Sequence, residues 1–112
     1  MDINRYEIIS GTQVPEVITK KINGKTTKFV PYVISEDNGE YKWTLIQLTP
    51  ANYTYAGLVD AIINLHYHID EMMAVLNNYT AEPKNTKYKN EFLEMQNCRK
   101  AAKEYAKKHF NM

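Results

Sequence analysis

Apolar and β-branched residues alternate with polar ones through the first half of the chain, and two Asn-Gly pairs interrupt this pattern. The pairs occupy positions 23–24 and 38–39, each between runs rich in Val, Ile, Thr, Tyr and Trp. Asn-Gly is the preferred sequence of the two-residue type I′ hairpin turn. The sequence therefore predicts a three-stranded antiparallel meander. Its strands lie near residues 14–22, 25–35 and 40–48.

Two details refine the predicted meander. Strict alternation places Tyr41, Trp43 and Leu45 on one face of its last strand. The middle strand contains Pro31, which has no backbone N–H to donate to a neighbouring strand. We therefore expect a kink or a bulge at Pro31.

From Tyr55 onward the apolar residues recur every three or four positions, which is the period of an amphipathic helix. The first helix has one apolar face, made of Tyr55, Leu58, Val59, Ile62, Ile63 and His66. A second helix is expected from His68 or Ile69 to about residues 77–78. Its predicted buried stripe is Met72, Met73, Leu76 and Tyr79.

The last predicted helix runs from about residue 88 to 109, after a polar loop at 80–87. Its apolar stripe includes Tyr88, Met95, Ala102, Ala106 and Phe110. We therefore predict an α+β fold, a three-stranded antiparallel meander followed by three α-helices, the last one long. A chain of 112 residues fits one domain, with the meander in about residues 1–48 and the helical part in about 54–110.

Charge and cysteine content narrow the class of protein. A formal net charge of +1 gives no reason to expect wholesale binding to nucleic acid or membrane. The single cysteine, Cys98, excludes an intrachain disulfide and favours a reducing compartment. The first residues lack the features of a signal peptide, and no run reaches the roughly 18 apolar residues of a membrane helix. We expect a cytoplasmic protein without a membrane partner.

Short spacing of imidazole and carboxylate groups makes His66, His68, Asp70 and Glu71 candidates for a metal site. However, residues two apart on a helix point to different faces, so His66 and His68 converge only if the helix breaks between them. The alternative is a junction between two helices with His68 as a cap. We favour the junction and predict no metal, because metal-binding motifs usually contain a second spaced pair of ligands. We also predict no cofactor, because the chain lacks a Gly-rich phosphate loop.

Two further groups have a functional and a structural interpretation. Cys98 precedes Arg99 and Lys100, which could lower its thiol pKa, but a mid-helix cysteine is more typical of packing. The basic residues of the last helix could follow a phosphate backbone, or they could form a solvated end that complements the helix dipole. These residues are Arg99, Lys100, Lys103, Lys107 and Lys108, and Glu104 interrupts them.

Several short motifs carry a family resemblance across roughly residues 40–110. They are Tyr41-x-Trp43, Tyr53-x-Tyr55, Asp70-Glu71-Met72, Asn77-Asn78-Tyr79 and the segment from Glu91-Phe92 through Met95-Gln96 and Arg99 to Ala102-Lys103. With these motifs the chain resembles small uncharacterised proteins of Bacteroides-type phages and prophages. The resemblance implies a product of the virion-structure or tail region that acts by protein contact in the host cytoplasm and in the virion.

Assembly by protein contact also agrees with the predicted elements, because an exposed strand edge or a long amphipathic helix can bind a partner. We therefore expect a non-enzymatic structural or assembly protein with protein partners, including a copy of itself, and no small-molecule substrate. The alternative is a small nucleic-acid-binding regulator that uses the basic helix. The predicted partner-binding residues are Tyr88, Phe92, Arg99, Tyr105 and Trp43, each of which has a core role as its alternative.

Overall fold

The computed structural model describes residues 7–112 and has an α+β fold. Its strands are β1 (Ile9–Gly11), β2 (Ile18–Ile22), β3 (Lys25–Asp37) and β4 (Glu40–Leu48), and its α-helices are α1 (Tyr55–His66), α2 (Ile69–Ala81) and α3 (Thr86–His109). A short 3₁₀ helix, Pro50–Asn52, precedes α1. The predicted absence of a signal peptide concerns residues that include 1–6, which lie outside the described residues.

The chain divides into two compact units, with the boundary inside α1 between Leu58 and Val59. We call the unit before this boundary the sheet unit and the one after it the helical unit. The boundary lies close to the predicted change from meander to helices. Whether the two units fold as one domain stays a prediction.

Both Asn-Gly pairs form the predicted hairpin turns. The φ angles are 52° and 76° at Asn23 and Gly24, and 51° and 81° at Asn38 and Gly39. Positive φ at both central residues is the requirement of a type I′ turn, whose twist matches that of the flanking strands. The turns join β2 to β3 and β3 to β4, and both pairs are antiparallel.

The sheet has four strands in the order β1-β4-β3-β2, so the prediction of three strands was wrong. The missed strand, β1, pairs antiparallel with β4 and places Ile9 opposite Trp43. Gly11 makes room for the Trp43 ring, because a Cβ atom at Gly11 would lie 2.9 Å from that ring. The first predicted strand is also shorter than expected, since β2 begins at Ile18 rather than near residue 14.

The irregularity expected at Pro31 occurs a few residues later in β3. Pro31 pairs with Leu45 inside a continuous β3, and the register shifts between Val33 and Ser35. The ladder between β2 and β3 ends at Phe29, so Pro31 lies beyond it. A residue without an N–H is tolerated where the neighbouring ladder has ended.

Buried side chains of the sheet unit come from both faces of β4. Trp43 belongs to the face predicted by alternation, whereas Thr44, Ile46 and Leu48 belong to the other face and are equally buried. Val30 of β3 is fully buried. Both faces of β4 therefore contribute buried side chains to the sheet unit.

The start of α1 is fixed by local hydrogen bonds and by one close backbone contact. The Thr54 hydroxyl accepts a hydrogen bond from the Gly57 N–H at 3.1 Å, which satisfies a donor of the first helical turn. A Cβ atom at Gly57 would collide with the carbonyl oxygen of Asn52 in the 3₁₀ helix. The predicted apolar face of α1 is confirmed, and its buried members are Leu58, Val59, Ile62 and Ile63.

Helices α2 and α3 are both longer than predicted. The pair Asn77-Asn78 lies inside α2, which continues to Ala81. Helix α3 begins at Thr86 because Asn85 caps it, accepting a hydrogen bond from the Tyr88 N–H at 3.2 Å. With 24 residues α3 is roughly 36 Å long, and its buried residues are Met95, Ala102 and Ala106. Within residues 7–112 no helix combines the length and apolarity needed to cross a membrane.

Candidate functional site

The predicted partner-binding residues occupy different environments. Trp43 lies in the sheet unit with 6% of its surface exposed, so its ring offers little area to a partner. Its Nε1–H has no hydrogen-bond partner among the described residues. Tyr88, Phe92, Arg99 and Tyr105 are half-buried on α3. Trp43 thus belongs to the sheet unit and the other four residues to the helical unit.

Phe92 has a structural role in the pairing of α2 with α3. Its ring stacks on Tyr79 of α2 with the centroids 4.4 Å apart and the ring planes 19° from parallel. Because only residues 82–85 connect the helices, α2 and α3 form an antiparallel hairpin. The stack holds the end of the hairpin next to this connection.

Helix α2 exposes a row of large apolar side chains. Ile69, Met73 and Leu76 are 68%, 55% and 48% exposed, and no residue of α2 is buried. Positions i, i+4 and i+7 lie on one face of a helix. The prediction of a buried stripe was therefore wrong for Met73 and Leu76. Met72 and Tyr79, on the side nearer α3, are half-buried.

An open cavity of about 460 Å³ lies between α2 and α3, and Met73 and Leu76 of this row are part of its lining. We call it the α2–α3 groove. Its apolar lining is Met72, Met73, Leu76 and Met95, and its polar lining is Gln96, Arg99 and Lys103. Methionine side chains adapt to differently shaped apolar partners, and the two cations attract a negatively charged group. The groove can thus take an apolar ridge that carries a carboxylate.

The remaining basic candidates line a second open cavity, of about 730 Å³, on the carboxyl-terminal half of α3. We call it the basic cavity. Lys100, Lys107 and Lys108 line it together with Asn97, Ala101, Glu104, Tyr105 and Met112. The predicted basic strip is therefore divided, because Arg99 and Lys103 line the α2–α3 groove instead. Glu104 lies among the lysines of the basic cavity, where it reduces the local positive charge.

The end of α3 is closed by a left-handed turn at Asn111, whose φ is 55°. The Asn111 N–H donates to the Lys108 carbonyl at 3.3 Å and the Met112 N–H to the Lys107 carbonyl at 2.8 Å. These two bonds define a Schellman motif, which satisfies carbonyls at a helix end. Lys107 and Lys108 lie in the last turn, where their positive charge complements the helix dipole, whereas burial lowers the pKa of His109 in the same turn. This arrangement supports the structural interpretation of the basic end.

The candidate metal ligands lie at the junction of α1 and α2. His66 ends α1, and His68 is the N-cap of α2, as the capping alternative predicted. The His68 N–H donates to the Glu71 carboxylate at 3.0 Å, so Glu71 already serves as a helix-capping group. Across residues 7–112 no group of three His, Cys, Asp or Glu side chains could hold a metal ion.

Cys98 lies half-buried on α3. Burial raises the pKa of its thiol above the usual value and Glu94 adds to this rise, while the neighbouring Arg99 opposes it more weakly. The thiol is therefore protonated at neutral pH, whereas a nucleophilic cysteine needs a lowered pKa. Tyr67 has a raised pKa for the same main reason, burial, with Glu94 adding to it. These shifts are typical of packed side chains.

No protein-family model matches the chain, and no curated protein or solved structure is significantly similar to it. What the α2–α3 groove can bind therefore follows from its own geometry. The sequence predicts the apolar wall of the groove on α2, because Met72, Met73 and Leu76 belong to one apolar stripe. Their exposure was not, since periodicity locates an apolar face without showing what covers it.

Proposed function

We propose that the protein is a non-enzymatic structural or assembly protein that acts through protein–protein contacts, with the α2–α3 groove as its contact surface. The observation that carries this proposal is the exposed row of Ile69, Met73 and Leu76 beside the groove. Contiguous apolar surface rimmed by polar groups marks interaction sites on soluble proteins. Covering each of these half-exposed side chains adds on the order of 1 kcal/mol to binding.

The phage or prophage setting of this function is supported by the sequence resemblance. Under this proposal the protein belongs to the virion-structure or tail region, is made in the host cytoplasm and works there or in the particle. A non-enzymatic role is supported by the protonated state of Cys98 and by the use of Glu71 as a helix cap. No small-molecule substrate or cofactor is part of the proposal.

Site-specific photocrosslinking in the producing cells tests the contact surface. A photoreactive amino acid replaces Leu76, which lines the groove, or Asn78, which is also exposed on α2 but lies on the opposite side of the helix. We expect a discrete protein adduct from position 76 and little from position 78. Equal or absent adducts at the two positions would contradict a contact surface at the groove.

A nucleic-acid-binding role is the second candidate, and the grouping of Lys100, Lys107 and Lys108 in the basic cavity favours it. If these lysines contact phosphates, the logarithm of affinity should fall with the logarithm of salt concentration with a slope of about −3 on duplex DNA. Fluorescence anisotropy with labelled DNA measures this slope. Replacing all three lysines with Gln should abolish it, while the Met73→Lys variant serves as the control that retains it. No binding at low salt removes this candidate.

A further inference from the structure

We propose that the α2–α3 groove is occupied by α2 of a second copy of this chain, so that two hairpins pair into a symmetric four-helix dimer. This inference rests on the proposed function and specifies its partner. A two-fold symmetric interface needs a patch that complements itself. The groove and the α2 row beside it meet that requirement in both shape and charge.

The shape argument starts from the α2 row. Ile69, Met73 and Leu76 form a ridge along one side of α2, and the same helix forms one wall of the groove. A ridge of side chains spaced four and three residues apart fits the groove between two antiparallel helices in bundle packing. Met95 on α3 provides an adaptable apolar surface for the incoming ridge. Each hairpin therefore offers both a ridge and a groove.

The charge argument starts from the wall formed by α3. Arg99 and Lys103 line the groove, and its seven lining residues include no carboxylate. Asp70 is exposed in the first turn of α2, next to Ile69 of the ridge. Because the hairpin is antiparallel and Lys103 shares the groove with Met72, Lys103 lies near the amino-terminal half of α2.

A two-fold axis parallel to the helices brings these charges together. Such an axis keeps every residue at its own height along the hairpin and places α2 of one copy opposite α3 of the other. Asp70 of the second copy then lies at the height of Arg99 and Lys103. Opposite charges at the rim of an apolar contact set the register of the two helices and disfavour other arrangements.

Light scattering of the purified full chain, from micromolar to millimolar concentration, tests this pairing. We expect a mass twice the 13.1 kDa of one chain, persisting at high salt because the contact is mainly apolar. The double variant Met73→Lys, Leu76→Lys should be monomeric. Leu93→Lys is the matched control, because Leu93 is 47% exposed on α3 and does not line the groove. It should leave the dimer intact.

Charge reversal tests the register. The variant Arg99→Glu, Lys103→Glu should weaken the dimer at least about tenfold at low salt, and adding Asp70→Lys should restore most of the affinity, because the pairs re-form with reversed sign. Circular dichroism of each variant shows that the helices remain folded. A dimer that is broken by Leu93→Lys, or a charge reversal that Asp70→Lys leaves unrescued, would overturn this pairing.

Failure of self-pairing is distinguishable from failure of the proposed function. If the wild-type chain stays monomeric up to millimolar concentration while the adduct at position 76 contains a different protein, self-pairing is rejected and the contact function stands. If the chain is monomeric and position 76 yields no adduct, both are rejected. An adduct made of two copies of this chain, together with a dimeric mass, supports both.

Discussion

Strands β3 and β4 of the sheet unit bury or half-bury their large apolar side chains, whereas helix α2 exposes several of its own. In the sheet unit Val30, Ile46 and Leu48 are at most 6% exposed, whereas Met73 and Leu76 of α2 are about half exposed. Helix α2 has a larger share of apolar residues than the sheet unit, so composition does not explain why its side chains are exposed. Burial in the sheet unit contributes to folding stability, and exposure on α2 leaves the same kind of free energy available for binding.

The largest predicted effect tests how tightly the sheet unit is packed. Gly57→Ala should destabilise the protein by more than about 3 kcal/mol, because the new methyl group meets the Asn52 carbonyl oxygen, a backbone atom that cannot rotate away. On α2, Ala74→Leu adds more carbon at an exposed position and should change stability by less than about 0.5 kcal/mol. Urea unfolding measures both. Similar losses for the two variants would remove the contrast between the regions.

A matched pair of leucines gives the next largest difference. Leu48→Ala should cost about 3 kcal/mol, because Leu48 is 6% exposed and its removal leaves a cavity. Leu76→Ala, at 48% exposure, should cost about 0.5 to 1 kcal/mol at protein concentrations where the chain is monomeric. Equal costs under those conditions would show that Leu76 belongs to the folding core.

Phe92→Ala is expected to have an intermediate effect, about 2 kcal/mol. Phe92 is half-buried, and the variant loses its stack with Tyr79 together with part of its apolar contact. In a double-mutant cycle with Tyr79→Ala the coupling should be about 1 kcal/mol. A coupling near zero would show that the stack does not hold the hairpin together.

The smallest predicted effect is a pH dependence in the helical unit. Burial, together with the charge of Glu94, raises the pKa of Tyr67 above 10.0, so the folded protein holds the phenol proton more tightly than the unfolded chain does. The resulting stabilisation is fully present below pH 10.0 and is lost as the pH rises through the folded-state pKa. In wild type the urea midpoint should fall as the pH rises above 10.0. In Tyr67→Phe this fall should be shallower. An unchanged slope of midpoint against pH would show that the Tyr67 hydroxyl is as exposed to solvent as the side chains of α2.

Local chemistry made much of the fold predictable. Each Asn-Gly pair favours its turn because both residues tolerate positive φ angles. Apolar residues that recur every three or four positions predict helix α1 and the apolar stripe of α3. Strand β1 was not predicted because three residues are too few to show an alternating pattern. It forms by pairing with β4, which is distant in the sequence. Residues 77–78 were expected to end α2, but Asn is only mildly unfavourable inside a helix, and α2 continues to Ala81.

The candidate site was less predictable than the fold. Residue type makes Arg99 a candidate, but nothing in the spacing shows that it shares a groove with Met72 of another helix. Helical period places Met72 and Met73 about 100° apart, yet both belong to a broad apolar stripe. Which of them faces α3 depends on tertiary packing, so the exposed row could be found only from the structure.

The position of β1 in the sheet has a consequence for the order of folding. The hairpins closed by Asn23-Gly24 and Asn38-Gly39 join neighbouring segments, and such hairpins form within microseconds. Ile9 must instead find Trp43 across the whole β2–β3 hairpin, so a long loop has to close before β1 gains any contact. Strand β1 is therefore expected to join the sheet last. Fluorescence of Trp43, whose ring lies against Gly11, then reports the final step of sheet assembly rather than its beginning.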